Sequence, residues 1–444
     1  MLSLGIGLYA FNTFLVATAL PSAVLEIGGA GLIAWASTLF LVSAIVAGAG
    51  GAAVKARLGA RGGLLLGGGL FLMGTLACGL APAMPVLLLG RALQGAGEGM
   101  VAAISYALIP VLFPQRLVVR VFAAEAAVWA VAGLAGPVVG GVLTETVAWR
   151  AAFLVNAPMA VLFLGLVLGV AVPRGEGAQA AAPVGRLATL GGGILVIAAS
   201  SLAPSAWWAA LAVATGGAVL VGLVRWDRGR GDALFPRDAF RAGSLLGAGL
   251  LVVLLMPVAH SFTVVHLTLT LQQGWGFSPT WAGAMFAVGP MAWSGAMLVV
   301  ASVRHPGMAG FGIRFGPVLL GVGIAGQLGA VLAGMPLAML PFLAAGGAAF
   351  GIGWAFLSVA VMRAAAEGER DRAAGLVPTV QSAGYAIGAA LTGLAASVAG
   401  LDGGSAEGTV RGFGMVVACG LVPAGLASAI ALRHRAWPSA QRDS

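Results

Sequence analysis

GRALQGAGEGM at residues 90–100 and AVAGLAGPVVGG at residues 130–141 decide how this chain reads. The first sets an arginine and a glutamate inside apolar sequence. The second is a glycine–proline run, and in a soluble helix interior glycine costs about 1 kcal/mol and proline about 3. Both make sense in a bilayer, where small residues let backbones approach and neighbouring helices satisfy the groups that proline frees. The reading is therefore an all-α polytopic membrane protein.

Outward from that stretch, composition points the same way. Of 444 residues, 60% are hydrophobic and 8% charged, against about 25% charged in a soluble protein. Mean hydropathy is +1.02. The 71 glycines fit helix-on-helix packing in lipid. A net charge of +9 raises the question of a nucleic-acid partner, but no basic stripe with interleaved aromatics is present, so none is expected. Cys78 and Cys419 lie in separate apolar stretches without ligand spacing, which predicts packing residues and neither a disulfide nor a metal site. The apolar N-terminus has no charged region ahead of it and reads as a retained first helix.

A spanning helix takes about 20 apolar residues. Spans are predicted near 3–26, 31–54, 63–82, 85–112, 119–144, 151–172, 187–203, 206–224, 242–273, 279–303, 312–334, 336–362, 373–399 and 410–432. These are fourteen, grouped as six, two and six. The expected organisation is a six-helix bundle over 1–172, a linker with two extra spans over 173–241, a second six-helix bundle over 242–433, and a tail at 434–444. Of the 23 basic residues, only Arg91, Arg150 and Arg411 fall in or beside the outer half on this count. That asymmetry predicts cytoplasmic termini in a bacterial-type inner membrane. Two bundles joined by a linker is a transporter plan.

Five stretches then resemble the major facilitator superfamily, in particular its fourteen-helix drug:proton antiporter branch. They are FNTFLVATALPSA in the first span, GRALQGAGEGM with Arg91, Gln94 and Gly95, and GLAGPVVGG followed by WRAAFLVNAP. LQQGWGFSPTWAG and GLVPTVQSAGYAIGAA complete the set, in family order. The resemblance implies a proton-driven exporter of small amphipathic or cationic compounds, with the gradient as energy source and no cofactor. Expected partners are the lipid bilayer and a small-molecule substrate, with the chain a monomer and no enzyme. Two departures stand out: Ala56 occupies the family's aspartate position in KARLGARGG, and Asn12 stands where the first span commonly carries aspartate. They leave open export of a single metabolite, lipid or siderophore-like compound, or uniport. A non-transporting sensor or scaffold would need long extramembrane segments.

Ionisable groups inside apolar spans are functional candidates by default. Glu98 lies near the middle of its span, and Arg91, Gln94, Glu98 and Ser105 share one helical face. Removal from water disfavours a carboxylate's charge, so Glu98 can load and release a proton; His260 is a second proton-coupling candidate. The plainer reading is that Arg91 and Glu98 lock their helix in place, and that His260 and His266 are hydrogen-bonded singly. Arg91, Glu125, Lys55, Arg57 and Arg61 are read as gating or structural charges. Tyr9, Asn12, Gln94, Tyr106, Trp129, His266, Gln272, Trp293, Trp354 and Gln381 are expected around a substrate cavity, where aromatics suit apolar or cationic guests. Gly133, Gly136, Pro137, Gly140 and Gly141 predict a smooth, bendable packing face.

Overall fold

Among the described residues every regular element is helical. The structure, a computed structural model, describes residues 1–113, 115–169, 184–228, 233, 235–303, 305, 307–366, 369–401, 405–434 and 437. Side chains at 49, 52, 53, 56, 106, 107, 110, 111, 115–126, 301, 370–372, 374 and 375 fall outside that description.

The chain forms two units. The first comprises Met1–Leu195 with Gly276–Ala287. It holds α1 (Leu2–Ile27), α2 (Ile33–Gly79), α3 (Met84–Leu112), α4 (Gln115–Thr146), α5 (Trp149–Leu154), α6 (Asn156–Gly169) and most of α7 (Val184–Ala199). The second comprises Val196–Trp275 with Val288–Ser444. It is built from α8 (Ala206–Asp227), α9 (Leu245–Val264), α10 (Leu267–Leu269), the greater part of α11 (Pro279–Ser302), α12 (Met308–Leu332) and α13 (Leu340–Ala364). It also holds α14 (Arg370–Val398), α15 (Ala406–Cys419) and α16 (Leu421–Arg433).

The span count differs from the sequence reading. Among the described residues twelve helices are long and apolar enough to cross a membrane, not fourteen, and the six-two-six arrangement falls with that count. The stretches expected to span at 85–112 and 373–399 are α3 and α14, each 29 residues long. Thr379, Gln381 and Ser382 lower the apolar character of α14. Helix α3 is as apolar as α2, but its side chains 106, 107, 110 and 111 lie outside the described residues that the count covers. A basis in helix number for the fourteen-helix branch is therefore lost.

In unit 1, α2 is one element of 47 residues broken at Gly59, where φ is 72° and ψ 168°. That left-handed φ suits glycine and turns the KARLGARGG segment between two limbs. Against them lies a core of Leu64, Phe71, Val101, Ile104, Leu108 and Phe163, each 0–2% exposed. Three helix ends are tied nearby: Glu26 accepts from Arg150 at 2.5 Å and from the Trp149 indole at 2.7 Å. Arg150 also donates to the Ala81 carbonyl at 3.2 Å.

In unit 2, α9 and α14 meet closely because Gly384 faces the Leu254 carbonyl and Gly388 the Ser261 hydroxyl, each about 2.5 Å from where a Cβ would sit. Ser244 caps α9 by accepting from Gly247 N at 3.0 Å, and Ser405 caps α15 in the same way at 3.1 Å. Such caps satisfy helix-start donors that the helix itself leaves unpaired.

Candidate functional site

The site in unit 1 is made possible by glycine. At about 100° per residue, Arg91, Gln94, Glu98 and Ser105 fall on one face of α3. Gly95 and Gly99 lie to one side of that face, and Gly90 and Gly97 to the other. A Cβ at Gly95 would strike the Phe40 carbonyl and one at Gly99 the Ala44 carbonyl, both on the first limb of α2. On the opposite flank a Cβ at Gly97 would come within 2.5 Å of Phe71 N, and one at Gly90 within 2.8 Å of the Gly74 carbonyl. The helix is thus seated between the two limbs with its polar face between the glycine contacts.

Every functional group on that face is buried. Gln94, Asn12, Thr75 and Ser105 are 0% exposed, Glu98 2% and Arg91 3%. Arg91 donates from Nη1 to Gln94 Oε1 at 2.8 Å and from Nε to the Ala36 carbonyl at 3.3 Å. Its guanidinium lies 4.1 Å from the centre of the Phe40 ring, a cation–π arrangement. Gln94 Nε2 in turn donates to Thr75 Oγ1 at 3.0 Å and to Asn12 Oδ1 at 3.3 Å.

Glu98 stands outside this net. Neither of its oxygens has a hydrogen-bond partner, and neither has Asn12 Nδ2 or Ser105 Oγ. Asn12 is the side chain that interacts with the Glu98 carboxyl, short of a formed hydrogen bond. Arg91 forms no ion pair with Glu98; its donors are turned to Ala36 and Gln94. Buried polar groups left without partners are few in native proteins and call for an explanation. Here a donor-bearing amide and a carboxyl interact without a formed hydrogen bond, an arrangement suited to taking up and giving up a proton or a guest.

Aromatic rings adjoin the net. Tyr9 stacks on Phe40 with centroids 5.9 Å apart and meets Trp129 edge-on at 5.3 Å. Trp129 also meets Phe14 at 6.3 Å. Of the residues expected around a cavity, unit 1 therefore brings together Tyr9, Asn12, Gln94 and Trp129. The side chains of Tyr106 and Glu125 lie outside the described residues.

Unit 2 gathers a second cluster. His260 meets Phe350 at 5.3 Å and Tyr385 at 6.4 Å, while Phe350 stacks on Trp293 at 5.2 Å and touches Trp354 at 5.6 Å. His260 Nδ1 is buried without a partner. His266 is 2% exposed, with its Nδ1 also unpartnered. Gln272 sits half-buried in the π-helical turn Thr270–Gly274, and Gln381 half-buried on α14 one turn before Tyr385.

The remaining candidates are placed as follows. Arg61 donates to the Leu168 carbonyl at the end of α6; Lys55 is half-buried and Arg57 exposed. Gly133, Gly136, Pro137, Gly140 and Gly141 are all buried on α4. A Cβ would come within 2.7 Å of Phe14 Cβ at Gly136, of the Leu15 carbonyl at Gly140 and of the Thr280 Cα at Gly141. Glu145, at the end of the same helix, accepts from Thr280 N at 3.2 Å. Among the described residues no group of three or more His, Cys, Asp or Glu side chains is placed to hold a metal.

Sequence reasoning missed Phe40, Thr75 and Phe350. Phe40 meets Tyr9 and Arg91, and Phe350 meets His260 and Trp293, all distant in sequence, and a phenylalanine in an apolar span carries no signal of its own. Thr75 lies one residue after Gly74, where a Cβ would come within 2.5 Å of Gln94 N; a glycine beside a hydroxyl was the one clue available.

A sequence model described as Major Facilitator Superfamily matches residues 2–389. A probable multidrug-efflux transporter of Mycobacterium tuberculosis is 32% identical over 435 residues, covering 94% of this chain and 91% of that protein. Multidrug resistance protein 3 of Bacillus subtilis is 29% identical over 171 residues, 38% of this chain and 33% of its own length. Among solved structures, peptide transporter POT in complex with alafosfalin superposes with a TM-score of 0.69 at 16% identity, covering 97% of this chain and 94% of that one. A D-xylose–proton symporter gives 0.62 at 14%, with 95% of each chain covered. At those identities the likeness is one of fold.

Proposed function

This chain belongs to the major facilitator superfamily, and from that footing we propose that it exports small amphipathic or cationic compounds in exchange for protons, with Glu98 carrying the proton. It is a multi-pass membrane transporter and not an enzyme. The observation that carries the proposal is the Glu98 carboxyl, 2% exposed and bonded to nothing, beside the unbonded Asn12 amide nitrogen. A charged Glu98 attracts that N–H donor strongly and draws α1 to α3; a protonated Glu98 accepts it only through its carbonyl oxygen and more weakly. Proton loading therefore changes how strongly the two helices hold one another, which is the differential interaction that alternating access requires. Arg91 is the structural charge of the scheme, since it donates to Ala36 and Gln94 and lies over the Phe40 ring.

The aromatic groups Tyr9–Phe40–Trp129 and Phe350–Trp293–Trp354 supply apolar and cation–π surface for a guest. Names of the mycobacterial and Bacillus relatives support a multidrug substrate range. We further infer cytoplasmic termini, a monomer and no cofactor beyond the proton gradient. A second reading, export of a single metabolite or uniport, draws on Asn12 standing where the resemblance leads one to expect a carboxylate.

The test is efflux of a fluorescent cationic dye by the full chain in liposomes under an imposed pH gradient. Glu98→Gln is expected to lose gradient-driven efflux while still binding dye. Wild-type efflux by that variant would overturn the role of Glu98, and one strong hit in a mixed panel of thermal-stabilising compounds would favour the single-metabolite reading.

A further inference from the structure

Unit 2 carries a feature that the transport scheme does not use. A groove of about 360 Å³ opens between α9, α14 and α16, with Leu254, Phe262, Leu391, Val422 and Leu426 among its walls. Its lining is hydrocarbon throughout except for the Cys419 thiol. Leu426 also borders a second hollow of about 120 Å³, and there the lining changes to Arg433 and His434. An apolar hollow and a basic one thus adjoin at Leu426 along one helix.

The dimensions match one leaflet. Arg433 is eleven residues beyond Val422 on α16, about 16 Å at a rise of 1.5 Å per residue. Half of a hydrocarbon core about 30 Å thick is about 15 Å. His434 is fixed at the basic end, its Nε2 donating to the Ala242 carbonyl at 2.8 Å. Neighbouring Arg241 is paired with Asp238 at 3.0 Å, whereas among the described residues no carboxylate pairs with Arg433. The charge left to an incoming group is therefore that of Arg433.

We propose that this groove binds one anionic phospholipid, with an acyl chain lying along α9 and α16 and the phosphate against Arg433. Hydrocarbon walls alone would not select a lipid, because tails in the surrounding bilayer are equally apolar. Selection comes from the basic end, and basic pockets between membrane helices recognise anionic head groups.

Native mass spectrometry of the detergent-purified full chain, incubated with equimolar phosphatidylglycerol and phosphatidylcholine of matched chains, tests this. One phosphatidylglycerol is expected to be retained in about fivefold preference, the ratio that one basic residue near the membrane surface supplies. Arg433→Glu should remove the preference, and Leu426→Trp, which fills the groove, should reduce retention of both lipids. Arg363→Glu, at the end of α13, should change nothing. Thermal unfolding of each variant separates loss of the site from loss of the fold, with Arg433→Ala as the milder substitution. Equal retention of the two lipids by the native chain, or an Arg433→Ala variant that keeps the preference, would overturn the site. So would Arg363→Glu abolishing the preference equally, or displacement of the lipid by glycerol phosphate lacking acyl chains.

Discussion

Gln94 on α3 donates a 3.3 Å hydrogen bond to Asn12 on α1, and this bond fixes which end of the Asn12 amide is left over. With Oδ1 engaged, Nδ2 remains for Glu98. The same Gln94 accepts from Arg91 and donates to Thr75. One buried amide thereby joins α1, the second limb of α2 and the arginine of its own helix.

Gln94→Leu removes that junction and leaves Arg91, Thr75 and Asn12 each short of a partner. Each buried polar group so stranded costs about 1–3 kcal/mol, more where it is charged. The variant is expected to unfold at a markedly lower temperature in detergent than Asn12→Leu, which breaks a single bond of the net.

Glycine contacts on α3 predict a steric contrast. Gly95→Ala drives a methyl group into the Phe40 carbonyl and should destabilise by about 1–3 kcal/mol, the usual penalty for overpacking. Gly165→Ala on α6 meets nothing within 4 Å and should be neutral or slightly stabilising. Size-exclusion profiles after heating rank the two directly.

If the carboxyl matters for its place beside α1 and not for the helix that bears it, the two side chains can be exchanged. Asn12→Asp combined with Glu98→Gln should recover part of the pH-gradient-driven efflux that Glu98→Gln alone loses. A double variant as inactive as the single one would tie the role to α3.

His260→Phe keeps a ring against Phe350 and Tyr385 and deletes the unpartnered Nδ1. Removing an unsatisfied buried polar atom is close to neutral for stability. The unfolding temperature should hold or rise, while a proton-relay role for His260 predicts reduced efflux at unchanged dye binding.

Much of the unit 1 site was legible from spacing. Arg91, Gln94, Glu98 and Ser105 announce a buried polar face by their helical periodicity, and the structure buries all four. What spacing did not convey was the direction of each bond. Arg91 could have been turned to Glu98, but the Ala36 carbonyl and the Phe40 ring claim it, and both belong to another helix. Span number failed for a different reason. Thr379, Gln381 and Ser382 lower the apolar character of α14, and part of α3 lies outside the described side chains that the count covers. Phe350, which joins His260 to Trp293 and Trp354, looked like any other apolar residue.

The flanks of α3 also govern how this protein can change over generations. Positions 95 and 99 lie against backbone atoms of α2 that have nowhere to retreat, so any larger residue there displaces a neighbouring helix. Between the flanks, Arg91 and Gln94 are held by the hydrogen-bond net, whereas Glu98 stands outside it. New ion or substrate preferences can therefore arise by exchange at position 98 on an unaltered scaffold, by a single codon.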